Sequence, residues 1–112
     1  MKIISEKISK EELQQIADED YGFYVKAVVD IENETIAIGG EMHSDEEALL
    51  LDNGSKQKDL WGINIYLEKP NEERLEFDSM INLRPSFGYR SRGVDDPEIR
   101  EKIIVIVNRL ID

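Results

Sequence analysis

Apolar residues recur with a period of two in four separate stretches of this chain, and turn residues join the stretches in pairs. Alternation of this kind puts the apolar side chains of an extended segment on one face, so it restricts the fold more than any other feature of the sequence. In the first stretch Phe23, Val25, Ala27, Val29 and Ile31 face one way, and Tyr24, Lys26 and Asp30 the other, with Val28 among them. Glu32-Asn33 can turn the chain, and Thr35 to Gly39 returns as a second strand. Pairing Ile31 with Glu34 sets Val29 opposite Ile36 and Ala27 opposite Ile38, which keeps the large apolar groups together. The third and fourth stretches, Trp61 to Leu67 and Leu75 to Leu83, flank the charged connection Glu68 to Arg74. A register centred on Asn71 pairs Leu67 with Leu75, Ile65 with Phe77 and Trp61 with Ile81. The same register sets Asn64 opposite Asp78 and Tyr66 opposite Glu76. Two antiparallel hairpins are expected.

Helix signals fall between and around them. Ser9 and Glu12 have the spacing of a capping box, with Ile8 and Leu13 placed for a hydrophobic staple. A second box is read at Ser44 to Glu47, ahead of Ala48 to Leu51, with Asn53-Gly54 as the stop. Asp96 can cap a third helix with Pro97 at its first position, and Ile99, Ile103, Ile106 and Leu110 then repeat at helical spacing. Lys2 to Ile4 reads as a short first strand. The expected order is β-α-β-β-α-β-β-α. This is an α+β chain whose mostly antiparallel sheet comes from two hairpins, with helices packed on one face.

The 112 residues fit a single globular domain over 1–112. Val, Leu, Ile and Phe account for 33 of them, above the roughly 20% of residues below which charged chains stay disordered. The chain has no Cys and one His, which excludes a disulfide framework and thiolate zinc sites. The longest apolar run, Ile103 to Val107, is far short of a membrane span. The start Met1 to Lys7 has no apolar signal core, so a cytoplasmic location is expected. A formal net charge of −11 argues against general nucleic-acid binding, which rests on neutralised phosphates.

Against that acidic background the loop Arg84 to Gly93 stands out, with three Arg, two Ser and no acid. Arg84, Arg90 and Arg92 offer donor forks suited to phosphate or carboxylate, with Ser86 and Ser91 beside them. Asn64, Asp78 and Asn82, on the polar side of the second hairpin, are placed to orient them. The plain alternative is that these Arg meet the chain's own carboxylates. Glu41, His43 and Asp45 are alternating metal-type donors, but they match no established ligand spacing. No cofactor motif is present, and none is expected.

Several segments resemble a family of small prokaryotic proteins known only as a domain of unknown function. They are Val28 to Ile31, Gly39 to His43, Glu46 to Leu51, Gly54 to Gln57, Asp59 to Asn64, Glu76 to Ser86 and Arg90 to Val94, with Phe77 to Val94 the most distinctive. The resemblance spans nearly the whole chain. It implies one domain and brings no activity, cofactor or partner with it.

The leading expectation is a binding module for an anionic ligand or acidic partner through the Arg84–Gly93 loop. The second is a small enzyme that combines this loop with Asp78 or with Glu41 and His43, which requires His43 and the loop to share one cleft. The third is an acidic interaction protein, antitoxin-like, that meets a basic partner.

Overall fold

A computed structural model describes residues 1–112. Five strands form one sheet: β1 (Lys2–Ile4), β2 (Tyr24–Asp30), β3 (Thr35–Ile38), β4 (Leu60–Tyr66) and β5 (Leu75–Glu76). Their spatial order is β1-β3-β2-β4-β5, and every neighbouring pair is antiparallel. Three α-helices accompany them, α1 (Lys10–Asp18), α2 (His43–Asp52) and α3 (Pro97–Leu110). The chain is α+β, as its pattern implies. No helix is long and apolar enough to cross a membrane.

The local signals at the first and last helices act as read. Ser9 Oγ accepts from the Glu12 N–H at 3.1 Å, although the Glu12 carboxylate pairs with Lys2 rather than closing the box. Asp96 accepts from the Glu98 N–H at 2.9 Å, with Pro97 opening α3. The first hairpin has the expected register, Val29 opposite Ile36 and Ala27 opposite Ile38. Buried Asp30 holds its turn by accepting from the N–H groups of Glu32 and Asn33 and from the Ser55 hydroxyl at 2.6 Å.

Four details differ from expectation, the last of them the extent of the fourth stretch. First, the helices do not share one face. Leu13 and Ala17 of α1 and Ile103, Ile106 and Val107 of α3 pack with Val25, Ala27, Val29, Ile63 and Ile65 into the main core. α2 lies on the opposite face, where Leu50 meets Val28, Ala37 and Leu60 in a second, smaller core. Those three residues alternate with main-core residues along their strands, so each points to the other side of the sheet. Second, α2 begins at His43 with Met42 as an N-cap that makes no side-chain bond, so Ser44 lies inside the helix instead of capping it. Third, the second hairpin is slipped by two residues. Asn64 lies opposite Glu76, not Asp78, and Ile65 lies opposite Leu75. A slip of two leaves every side chain on its own face, so hydrophobic alternation cannot distinguish the two registers. The turn decides, with the Glu73 N–H bonded to Pro70 O at 2.9 Å.

β5 stops after Glu76, and the expected long fourth strand gives way to two short 3₁₀ turns at Met80–Asn82 and Pro85–Phe87. Side chains then take over the pairing of β4. Asn82 Oδ1 accepts from the Gly62 N–H at 2.9 Å, while its Nδ2 donates to Gly62 O and to Arg92 O, both at 3.0 Å. Arg84 donates to Gln57 O at 2.9 Å, Ile81 O at 3.0 Å and Leu60 O, and its guanidinium lies 4.6 Å from the centre of the Trp61 ring. Both residues are buried.

Two stability outcomes follow from this arrangement. A Cβ on Gly62 would stand 2.6 Å from both Cβ and Oγ of Ser79, so Gly62→Ala should lower stability by about 1–3 kcal/mol. Adding Ser79→Gly should recover part of that loss in a double-mutant cycle of urea unfolding, and strictly additive losses would contradict the crowding. Lysine cannot reproduce a flat fork aimed at three carbonyls, so Arg84→Lys should cost roughly 2–4 kcal/mol in the same measurement. An unchanged midpoint would show that the three bonds are dispensable.

Candidate functional site

α2 is ten residues long and covers only part of its face of the sheet. Beyond its N-terminal end the same face continues as Tyr24 and Lys26 on β2 and Asn64 and Tyr66 on β4, paired Tyr24 with Tyr66 and Lys26 with Asn64. There it forms the floor of a cleft of about 380 Å³, with His43 and Ser44 of α2 on one wall. Glu76, Asp78 to Ile81, and Arg92 line the cleft as well.

Each polar group in it has a definite state. Asn64 Nδ2 donates to Glu76 Oε1 at 2.8 Å, and the Tyr66 hydroxyl donates to the same oxygen at 3.2 Å. Asp78 pairs with Arg92 at 2.8 Å, an ion pair in which both side chains are about half exposed, so it fixes geometry more than it stabilises. Lys26 has no carboxylate partner within ion-pair distance; its ammonium lies 5.8 Å from the centre of the Tyr24 ring. His43 is buried, with Nε2 2.7 Å from Ile63 O. A carbonyl can only accept, so Nε2 carries the hydrogen and Nδ1 presents a lone pair. Burial pushes the His43 pKa down, with Lys26 and Arg92 adding to the effect and Ile63 O and Asp78 opposing it, so the ring is neutral at pH 7. The Asp45 and Glu46 N–H groups turn back to Met42 O, which leaves those of His43 and Ser44 without an acceptor.

Behind this end of α2 lies Glu46, fully buried, whose Oε2 accepts from the Gly40 N–H at 3.0 Å and whose Oε1 has no partner. Burial pushes its pKa up to about 9; the Gly40 bond and Lys26 pull against this, and Asp45 and Asp20 reinforce it. Glu46 is therefore a neutral acid at pH 7. It places no charge beside the uncapped helix start.

The residues singled out from the sequence fall into three groups. Asn64, Asp78, Arg92 and His43 meet in the cleft, so His43 and the end of the Arg loop share one site. Asn82 and Arg84 are occupied by backbone groups of the chain, which is the plain alternative for Arg84 in a changed form: its partners are carbonyls rather than carboxylates. The rest of the loop lies outside the cleft, with Ser86 and Arg90 exposed and Ser91 bonded to Asp95 at 2.7 Å. Glu41 and Asp45 are exposed while His43 turns inward, and no group of three or more His, Asp or Glu side chains is arranged to hold a metal. Lys26, Tyr24 and Ser44 line the cleft too, although the sequence does not mark them as site residues. Lys26 and Tyr24 could have been found, because the first hairpin already put them on the polar face. Ser44 was misassigned to a cap.

The chain matches, over residues 2–110, the profile of a family described as a protein of unknown function (DUF5674). It belongs to the DUF5674 family. Neither a curated protein nor a solved structure matches it. The matched range takes in every element that builds the cleft of this DUF5674 protein.

The buried acid sets a pH dependence whose sign can be worked out. Folding raises the Glu46 pKa from 4.5 to about 9, so between these values the folded chain holds a proton that the unfolded chain has released. This contribution to stability is complete below the unfolded value and is lost as pH rises towards the folded one. Glu46→Gln cannot lose that proton. Its stability should fall less with pH than that of the wild type, by up to about 1.4 kcal/mol per pH unit between about pH 6 and 8. Parallel curves in urea unfolding would mean that Glu46 is ionised in the fold.

Proposed function

We propose that this DUF5674 protein is a binding module for a small anionic ligand, and that the ligand sits in the cleft beyond the start of α2. One observation carries the reading. Three segments far apart in sequence bring Lys26, the uncapped start of α2 at His43 and Ser44, and Arg92 to line one cleft of about 380 Å³. Lys26 is a cation without a partner, and free N–H groups at a helix start favour negative charge. Neutral Glu46 adds no charge against that preference, which leaves exposed Asp45 as the other acid of the first turn. In this reading the Arg loop contributes Arg92, oriented by Asp78, and Arg84 and Asn82 hold the scaffold. Arg90, Ser86 and Ser91 are not contact residues.

A second reading, an enzyme with His43 as its base, draws support from the fixed tautomer of a neutral imidazole whose Nδ1 is free to take a proton. If a bound compound is turned over, His43→Gln should abolish turnover and leave binding within a few fold. Turnover that survives in this variant rules out the second reading.

The binding proposal is tested by thermal shift with inorganic phosphate, nucleotides, phosphorylated metabolites and carboxylates. A ligand at one hundred times its Kd stabilises by about 2.7 kcal/mol, on the order of ten degrees in a domain of this size. Lys26→Gln should weaken the best binder by about tenfold or more, equivalent to one charge-assisted hydrogen bond. Arg90→Gln should leave it unchanged. No shift with any anion, or equal effects of the two substitutions, would remove the proposal.

A further inference from the structure

Taking the cleft to be the ligand site, we infer that its ligand is a small zwitterion, with a primary ammonium and an anionic group on one short scaffold. The argument starts from Asn64. This side chain is 6% exposed, lies in the floor of the cleft, and has a buried Oδ1 with no donor. Its orientation is not free. Nδ2 is bonded to Glu76 Oε1, which also receives the Tyr66 hydroxyl, so a flipped amide would set two acceptors against each other. A buried carbonyl oxygen left without a donor is costly, and this one belongs to a residue that lines the cleft, so a small turn of the side chain brings it to a donor there.

The groups around Asn64 define what kind of donor fits. His43 Nδ1 is a lone pair, fixed as such by the bond from Nε2 to Ile63 O. Glu76 and Asp78 each keep one oxygen that no side chain of the protein engages, Oε2 and Oδ2. Four acceptors therefore gather around Asn64, and with Arg92 paired to Asp78 the charge left without a cation is that of Glu76. An ammonium brings three donors, no acceptor and one positive charge, enough for three of the four acceptors and for the charge of Glu76. A hydroxyl or a neutral amide has fewer donors and leaves Glu76 unbalanced.

The opposite requirement stands one strand away. Lys26 is the direct cross-strand partner of Asn64, which puts their Cβ atoms about 5 Å apart. His43 and Ser44, whose N–H groups have no acceptor, line the same space. An anionic end at Lys26 and an ammonium at Asn64 are thus separated by a few bonds. That span is met by an amino acid, where the anion is a carboxylate, and by an aminoalkyl phosphate, where it is a phosphate.

Matched pairs of compounds test this on the unaltered protein. In the carboxylate arm the common amino acids are each compared with their N-acetyl derivatives by calorimetric titration. In the phosphate arm phosphoethanolamine and O-phosphoserine are compared with their N-acetyl derivatives, and inorganic phosphate and ethanolamine serve as single-charge controls. At least one zwitterion should bind at least about tenfold more tightly than its acetylated partner and than either control. The arm in which it lies identifies the anionic group. Asn64→Leu should reduce that preference to within a few fold. If simple anions bind and no ammonium improves on its acetylated form, the zwitterion is wrong and the anion cleft stands. If ethanolamine binds as well as any zwitterion, the anionic end is wrong. If no compound in either arm binds, this inference and the reading on which it rests fall together.

Discussion

The amide of Asn82 grips the peptide of Gly62, and much of the site depends on that grip. Along β4 the peptide groups of Leu60, Gly62, Asn64 and Tyr66 all point towards the β5 side, as alternation in an antiparallel sheet requires. β5 serves two of the four: Tyr66 N–H bonds to Arg74 O at 2.8 Å, and Asn64 pairs with Glu76. Without Asn82 and Arg84 the other two would be buried and unmet, because Leu60 and Gly62 lie in the interior. One carboxamide satisfies both groups of Gly62, and one guanidinium reaches Leu60 O. The price is close approach, which is why position 62 has no side chain where Ser79 crosses it. Asn82 Nδ2 also bonds Arg92 O, a carbonyl that receives the Ser79 N–H at 2.9 Å. The strand edge and the end of the Arg loop are thereby one unit. Arg92 reaches Asp78 from a fixed base.

The cleft itself is a consequence of unequal cover. α1 and α3 pack over one face of the sheet and bury the main core there. On the other face α2, about 15 Å long at 1.5 Å per residue, rests on Val28, Ala37 and Leu60. Next to Val28 and Leu60 on the same face come Gly62, then Lys26 and Asn64, then Tyr24 and Tyr66. The residue types change from apolar to polar where the helix stops. Helix length and strand composition agree on the same boundary, and the boundary is the cleft wall.

Much of this could be read from the residues. The caps at Ser9 and Asp96 and the register of the first hairpin are local matters, decided by neighbours within a few positions, and they came out as read. The placement of α2 is not local. Val28, Ala37 and Leu60 look like stray apolar residues until a helix is known to cover them, and Ala48 to Leu51 is too continuous a run to announce a face. The slip in the second hairpin was invisible because either register preserves the pleat. Arg84 and Asn82 mark the deeper limit. A guanidinium and a carboxamide recognise backbone carbonyls with the same chemistry that they would offer to a ligand, so residue type cannot say which partner they have. Arg92, in the same loop, was legible only to the extent that Asp78 lies near enough to orient it.

Electrostatics at the cleft shows why a count of charges is a poor guide to a site. The formal −11 treats Glu46 as ionised, whereas burial keeps it protonated at pH 7. The remaining excess acid is spread over a surface where charges more than about 8–10 Å apart are screened in physiological salt. Within the cleft the balance is even, with Lys26 and Arg92 against Glu76 and Asp78. It is also unevenly committed: Arg92 is tied to Asp78, Glu76 is bound by Asn64 and Tyr66, and Lys26 alone has no partner. Neutral His43 and neutral Glu46 are what permit this. Ionised, Glu46 would set a negative charge behind the helix start and cancel its attraction for an anion. Protonated, His43 would lose the lone pair that makes it an acceptor. The two protonation states, both imposed by burial, leave the cleft of an acidic protein with one unpaired cation and several unengaged acceptors.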